Sequence, residues 1–116
     1  MHELAIMADI LKIVLDYAEK NDARRVISVK LKVGEMTDLE DTWMQRYFDH
    51  LTENTIAGGA KLNLERLPIV FTCKTCATPF AVEKNQWDRA VCIKCGSKDL
   101  LLTSGNSFYL DSIEVI

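Results

Sequence analysis

Four cysteines stand in two pairs: "CKTC" holds Cys73 and Cys76, and "CIKCG" holds Cys92 and Cys95. Fifteen residues separate the pairs, inside the range of four-cysteine zinc sites. A C-x-x-C turn aims two thiolates at one ion, and two such turns complete a tetrahedron. Gly96 follows the second pair, where the backbone often needs a positive φ. Four sulfurs leave no open coordination position, so the metal is expected to be structural and not catalytic. Iron accepts the same ligands, but zinc is the favoured ion on the precedent of such ribbons. A thioredoxin-like dithiol needs one C-x-x-C at a helix start, and two facing pairs argue against it.

A second group of metal-capable residues opens the chain, as "MHELAIM". His2 is large, so Met1 is expected to be retained. The Met1 amine, the His2 amide nitrogen and the His2 imidazole then form one connected chelate, with the Glu3 carboxylate beside it. Nitrogen donors in a plane suit nickel(II) or copper(II) and disfavour zinc. The helix dipole repels a cation at this end, which a deprotonated amide and Glu3 would offset. The plainer alternative is a frayed polar start in which Glu3 favours the dipole.

The totals bound what these groups can do. At 116 residues the chain makes one domain, or one carrying a smaller appendage that needs metal to fold. The formal charge of -3 argues against nucleic acid as a main partner. Residues 68–104 carry five basic and three acidic groups, a local +2. No apolar run reaches membrane-spanning length, and Glu3, Asp9 and Lys12 interrupt any leader-like core. The expected location is the cytoplasm, where cysteines serve as metal ligands more often than as disulfides.

The elements that must position these residues follow from periodicity. Residues 3–20 read as an amphipathic helix, with Ile6, Ile10, Ile13, Val14 and Tyr17 on its apolar face. Asp16–Lys20 and Lys12–Asp16 are favourable i,i+4 pairs. "RVISVKLKVG" alternates as a strand that Gly34 ends, with Ile27, Val29, Leu31 and Val33 inward. Thr37 and Glu40 form the T-x-x-E of a capping box, predicting a second helix from about Asp38. Its core stripe would be Leu39, Trp43, Tyr47 and Leu51, joined by Met44 and Phe48, with His50 on the solvated side. "AGGAKLNLERL" gives a turn and a short strand closed by Pro68. "SFYLDSIEVI" is a last strand whose alternation requires a bulge near Asp111.

The expected fold class is α+β. Two helices pack on one face of a small, about three-stranded mixed sheet, and a four-cysteine zinc-ribbon-like subdomain is inserted before the last strand. The expected boundaries are 1–67 plus 105–116 for an α/β domain and 68–104 for the zinc-binding subdomain.

Together "MHE", "KVGEMTDLE", "GGAKLNLE" and "CKTC…CIKCGS" resemble the HypA/HybF family over essentially the whole chain. Those proteins are nickel metallochaperones of [NiFe]-hydrogenase maturation. The resemblance implies nickel at Met1, His2 and Glu3, with Glu40 a further ligand that its capping role contests. It implies zinc at Cys73, Cys76, Cys92 and Cys95. The implied partners are a hydrogenase maturation GTPase, the hydrogenase large subunit and, for some members, urease maturation proteins. The short loop "ATPFAVEKNQWDRAV" has no histidine, unlike longer archaeal zinc loops, so it offers no extra histidine ligand. No poised nucleophile or phosphate loop points to an enzyme, and no catalytic residue is assigned. The competing reading is a zinc-ribbon module for nucleic-acid or protein docking, carried by the local +2 and Trp87; that charge is thin for phosphate binding.

Overall fold

A computed structural model describes the backbone of residues 2–37 and 40–116, and the side chains of those residues other than 2–4. Met1, Asp38 and Leu39 lie outside it. The order is α1 (His2–Lys20), β1 (Val26–Gly34), α2 (Asp41–Leu51), β2 (Lys61–Leu67), β3 (Ile69–Cys73), β4 (Pro79–Val82), a short 3-10 turn (Trp87–Arg89), β5 (Leu100–Ser104) and β6 (Phe108–Val115). The strands form two three-stranded sheets, ordered β2-β1-β6 and β4-β3-β5. Two compact units divide the chain: 1–32, 39–65 and 108–116 in the first, 33–38 and 66–107 in the second.

In the first unit α1 packs on β6 and on α2. Ile116 N donates to Arg25 O, so the end of β6 meets the start of β1 and the two run antiparallel. Val26 N donates to Ile56 O and, within the second unit, Glu35 N donates to Leu67 O, so β1 and β2 run parallel with α2 as the crossover, which makes the sheet mixed. Outward on β1, Lys30 and Lys32 stand between Glu65 of β2 and Asp111 of β6 at 3.4–4.0 Å. These partly exposed pairs contribute little each, but they keep that sheet face polar. Burial along β6 changes phase at Asp111–Ser112: Phe108 and Leu110 are half-buried, then Ile113 and Val115. That is the shift a bulge would produce.

Two details differ from the sequence pattern. The buried face of α1 is Met7, Ile10, Val14 and Ala18, whereas Ile13 (54%) and Tyr17 (44%) are exposed. The stripe is rotated toward Ala18, which is fully buried. In α2 the helix starts at Asp41 with Glu40 as N-cap, so the Thr37–Glu40 capping box does not form. Glu40 makes no side-chain capping bond, and the Thr37 carbonyl accepts from Lys84 Nζ at 3.2 Å. Met44 and Phe48 are the buried residues of α2, while Trp43 is 57% exposed under the Arg46 guanidinium, 5.5 Å from its ring centre. Leu39 of the expected stripe lies outside the described residues. His50 is exposed, as its charged neighbours predicted.

In the second unit, the end of β1 is stitched to the segment around Gly105. Gly34 N donates to Ser107 O and Met36 N to Gly105 O. A side chain at Gly34 would collide with the Gly105 carbonyl, so glycine is required there. Strand β3 is the centre of the second sheet, antiparallel to both neighbours. A one-residue irregularity at Val70/Phe71 leaves Thr103 extra, and its hydroxyl donates to the Val70 carbonyl.

Candidate metal centre

The centre lies within the second unit. Each cysteine pair folds into the same turn. In the first, Cys73 N donates to Thr78 O (3.0 Å) and Ala77 N to Cys73 O (2.8 Å). In the second, Cys92 N donates to Ser97 O (2.9 Å) and Gly96 N to Cys92 O (2.9 Å). The residue after each pair reverses the chain with a positive φ, 61° at Ala77 and 74° at Gly96. The repeat is visible in the residues: "CKTCAT" and "CIKCGS" share cysteine, two residues, cysteine, a small residue and a hydroxyl. The equivalence of Ala77 with Gly96, and the hydroxyl at position 78, were the signals available for these parts of the site.

The two turns face one another, and all four sulfurs lie within 4.8 Å of each other. Across the turns Cys73 Sγ is 3.6 Å from Cys95 Sγ, and Cys76 Sγ is 3.5 Å from Cys92 Sγ. These separations are far longer than a disulfide of about 2.05 Å. They match the edge of a tetrahedron about a zinc ion, where bonds of about 2.3 Å space the sulfurs about 3.8 Å apart. Donor type, number and spacing therefore all fit zinc.

The surroundings prepare thiolates. Lys94 N and Cys95 N both point at Cys92 Sγ, each at 3.4 Å. Thr78 Oγ1 lies 3.2 Å from Cys76 Sγ, and that contact, with the Thr78 backbone N–H, pulls the Cys76 thiol down to about 6. Backbone N–H groups led by that of Cys76 also lower Cys73. At Cys95 the Ser97 N–H draws the value down, but the neighbouring sulfurs and partial desolvation together push it up to about 12. Three sulfurs crowding a fourth make the last proton hard to remove, and a divalent cation relieves that repulsion.

Burial grades the four ligands. Cys73 and Cys92 are buried and form a small core with Phe80, against which Phe71, Cys76, Val82, Ala90 and Leu100 pack. The Phe71 and Phe80 rings meet at a tilt of 36°, 6.3 Å between ring centres. Cys76 is half-buried and Cys95 is exposed. So few apolar groups make metal a large part of what holds this unit.

The other site residues read from the sequence are not brought to this centre. His2 opens α1, but its side chain and that of Glu3 lie outside the described residues, as does all of Met1. Glu40 is the exposed N-cap of α2. Among the described residues no helix is long and apolar enough to cross a membrane.

Comparison with known proteins finds likenesses that extend over the whole chain. A hydrogenase maturation factor HypA of Caldanaerobacter subterraneus subsp. tengcongensis is 35% identical over 116 residues, covering 99% of each chain. That of Dehalococcoides mccartyi is 34% identical over 115 residues, covering 99% of this chain and 94% of its own. A solution structure of a HypA protein matches all of this chain and 97% of its own, with a TM-score of 0.75 at 27% identity. The solved nickel metallochaperone HypA of Helicobacter pylori has the same fold, with a TM-score of 0.66 at 24% identity. Residues 1–115 match the family model described as HypA, hydrogenase/urease nickel incorporation metallochaperone, and the chain belongs to that family.

Proposed function

We propose that this chain binds nickel(II) at Met1, His2 and Glu3 and passes it, with a maturation GTPase, into the large subunit of a [NiFe]-hydrogenase. The observation that carries the reading is the family match, which spans both the Met-His-Glu segment and the four cysteines. The Met1 amine, the His2 amide and the imidazole give nickel(II) a nitrogen-rich plane, and the carboxylate of Glu3 adds an oxygen donor. The Glu40 carboxylate is a further donor, which its cap role leaves unused because that role is met by the backbone alone. In this reading residues 1–67 with 105–116 serve nickel, and residues 68–104 serve as the zinc-held part. Zinc and nickel are kept apart by donor type: thiolates for one, nitrogen and oxygen for the other. A few side chains on a chain terminus release nickel more readily than a closed cage would, which is what delivery requires. The chain acts on the metal as cargo and catalyses no bond change.

The test is nickel titration of untagged protein, His2→Ala, and protein extended by one glycine before Met1. His2→Ala and the extension should each abolish tight nickel binding while zinc stays at about one per chain and circular dichroism is unchanged. Because amine, amide and imidazole shed protons on binding, nickel affinity should fall as pH drops through about 6.5. Unaltered nickel affinity in both variants would place the site elsewhere. Failure of His2→Ala to support hydrogenase maturation in cells, relieved by excess nickel, would extend the reading to delivery.

A further inference from the structure

We propose that the four-cysteine centre is also an oxidation site for hydrogen peroxide, in which Cys95 meets the oxidant, Cys73 resolves it, and Cys76 pairs with Cys92. This does not depend on the nickel reading. It rests on two features of the centre. Among its four sulfur ligands only Cys95 belongs to an exposed residue; Cys73 and Cys92 are buried. And two close sulfur contacts run between the turns, Cys73 with Cys95 at 3.6 Å and Cys76 with Cys92 at 3.5 Å.

The thiolate is the form that attacks peroxide, and bound zinc keeps these sulfurs as thiolates. Cys95 Sγ attacks one peroxide oxygen, the O–O bond breaks, and a sulfenic acid and hydroxide result. Cys73 Sγ, already beside it, attacks the Cys95 sulfur; the S–O bond breaks, hydroxide leaves, and the disulfide forms. Two thiolates and one peroxide have become one disulfide and two hydroxides. Two sulfurs cannot keep the tetrahedral ion, so the metal is lost. Cys76 and Cys92 then consume a second peroxide in the same way. A thiol reductant reverses both links. The product is a unit cross-linked between its turns, with the four ligands withdrawn from metal.

Four cysteines allow three pairings, and the sequence makes them easy to tell apart. Lys74 lies between Cys73 and Cys76, and Lys94 between Cys92 and Cys95. Trypsin therefore places each cysteine on its own peptide: 67–74, 75–84, 90–94 and 95–98. Zinc-loaded full-length protein is treated with hydrogen peroxide while zinc release is followed with a chromogenic chelator. Aliquots are acid-quenched, alkylated and mapped without reduction. The expected result is 67–74 joined to 95–98, appearing in step with zinc loss, followed by 75–84 joined to 90–94. Complete reaction should consume two peroxides per zinc released, and a dithiol should restore both thiols and zinc binding. Links within a turn, 67–74 to 75–84 or 90–94 to 95–98, would overturn the proposal. So would 75–84 to 90–94 forming first, or zinc loss with sulfinic acids and no disulfide.

Discussion

The two cysteine turns have the same hydrogen bonds but not the same support. The first is set in a sheet. Cys73 is the last residue of β3, and Pro79 starts β4 directly after Thr78. The second spans 92–97 between the 3-10 turn and β5, outside any strand. Its tie to the first is a backbone bond from Lys74 N to Asp99 O (2.9 Å), a hydroxyl contact from Thr75 to Ser97 (3.1 Å) and an exposed Lys74–Asp99 pair (3.8 Å). A shared backbone geometry is thus set at a strand pair in one case and outside any strand in the other. Each turn also contributes one buried cysteine, so both turns pack into the same small core.

Removing the metal should break the equivalence most. Structural zinc in small motifs carries about 10–16 kcal/mol of binding free energy, and in such motifs that is folding free energy. Chelation, or Cys73→Ser, should release the zinc and disorder much of 66–107, while helices α1 and α2 persist. Amide exchange would show 92–97 losing protection first and β3–β4 retaining most. Equal loss in both turns would mean that the sheet lends the first no independent stability.

The next contrast is Ala77 against Gly96. An L-residue in the left-handed region costs about 1–2 kcal/mol. Nothing lies near a Cβ built at Gly96, so Gly96→Ala should cost that backbone term alone. Ala77→Gly should recover up to about 1 kcal/mol, less what glycine loses in the unfolded chain. The double swap should be near neutral. Thermal melts of the zinc-loaded proteins would measure all three.

Proton competition separates the turns further. Cys76 is held low, at about 6, chiefly by the Thr78 hydroxyl. Its contribution is complete above the ordinary thiol value of 9.0 and is lost as pH falls through about 6. Cys95 has the opposite sign: its thiol form is favoured below 9.0, and that contribution disappears as pH rises through about 12. Thr78→Val should therefore raise the pH at which zinc is half released, by a fraction of a unit. Ser97→Ala, at the equivalent position, should leave that pH unchanged, because its hydroxyl contacts Thr75 and Asp99 N and no sulfur. The smallest effect belongs to Thr75→Ala, which removes one exposed hydroxyl contact. It should cost no more than about 0.5 kcal/mol, the low end for an exposed hydrogen bond, read from zinc competition with a chelator.

The sequence by itself determined the parts governed by local spacing. A C-x-x-C pair specifies its own turn within a few residues, so the four ligands were legible from "CKTC" and "CIKCG" alone. Alternation in 29–33 and the phase slip at Asp111 were legible for the same reason, since side-chain direction in a strand follows neighbour by neighbour, although Val26 rather than the expected Ile27 is the buried residue at the strand's start. Tertiary structure decided the rest. Strands β3, β4 and β5 are only four or five residues long, too short to announce a sheet, and their pairing spans residues up to 34 apart. Glu40 rather than Thr37 caps α2, and the Thr37 carbonyl instead accepts from Lys84, a residue far along the chain. Trp43 and Tyr17 satisfy helical periodicity as well as any core residue. Only packing against a particular neighbour brought in Ala18 and, of the expected α2 stripe, buried Met44 and left Trp43 exposed. Local pattern fixes which residues share a face; the partner surface, which no window of sequence contains, decides how that face is turned.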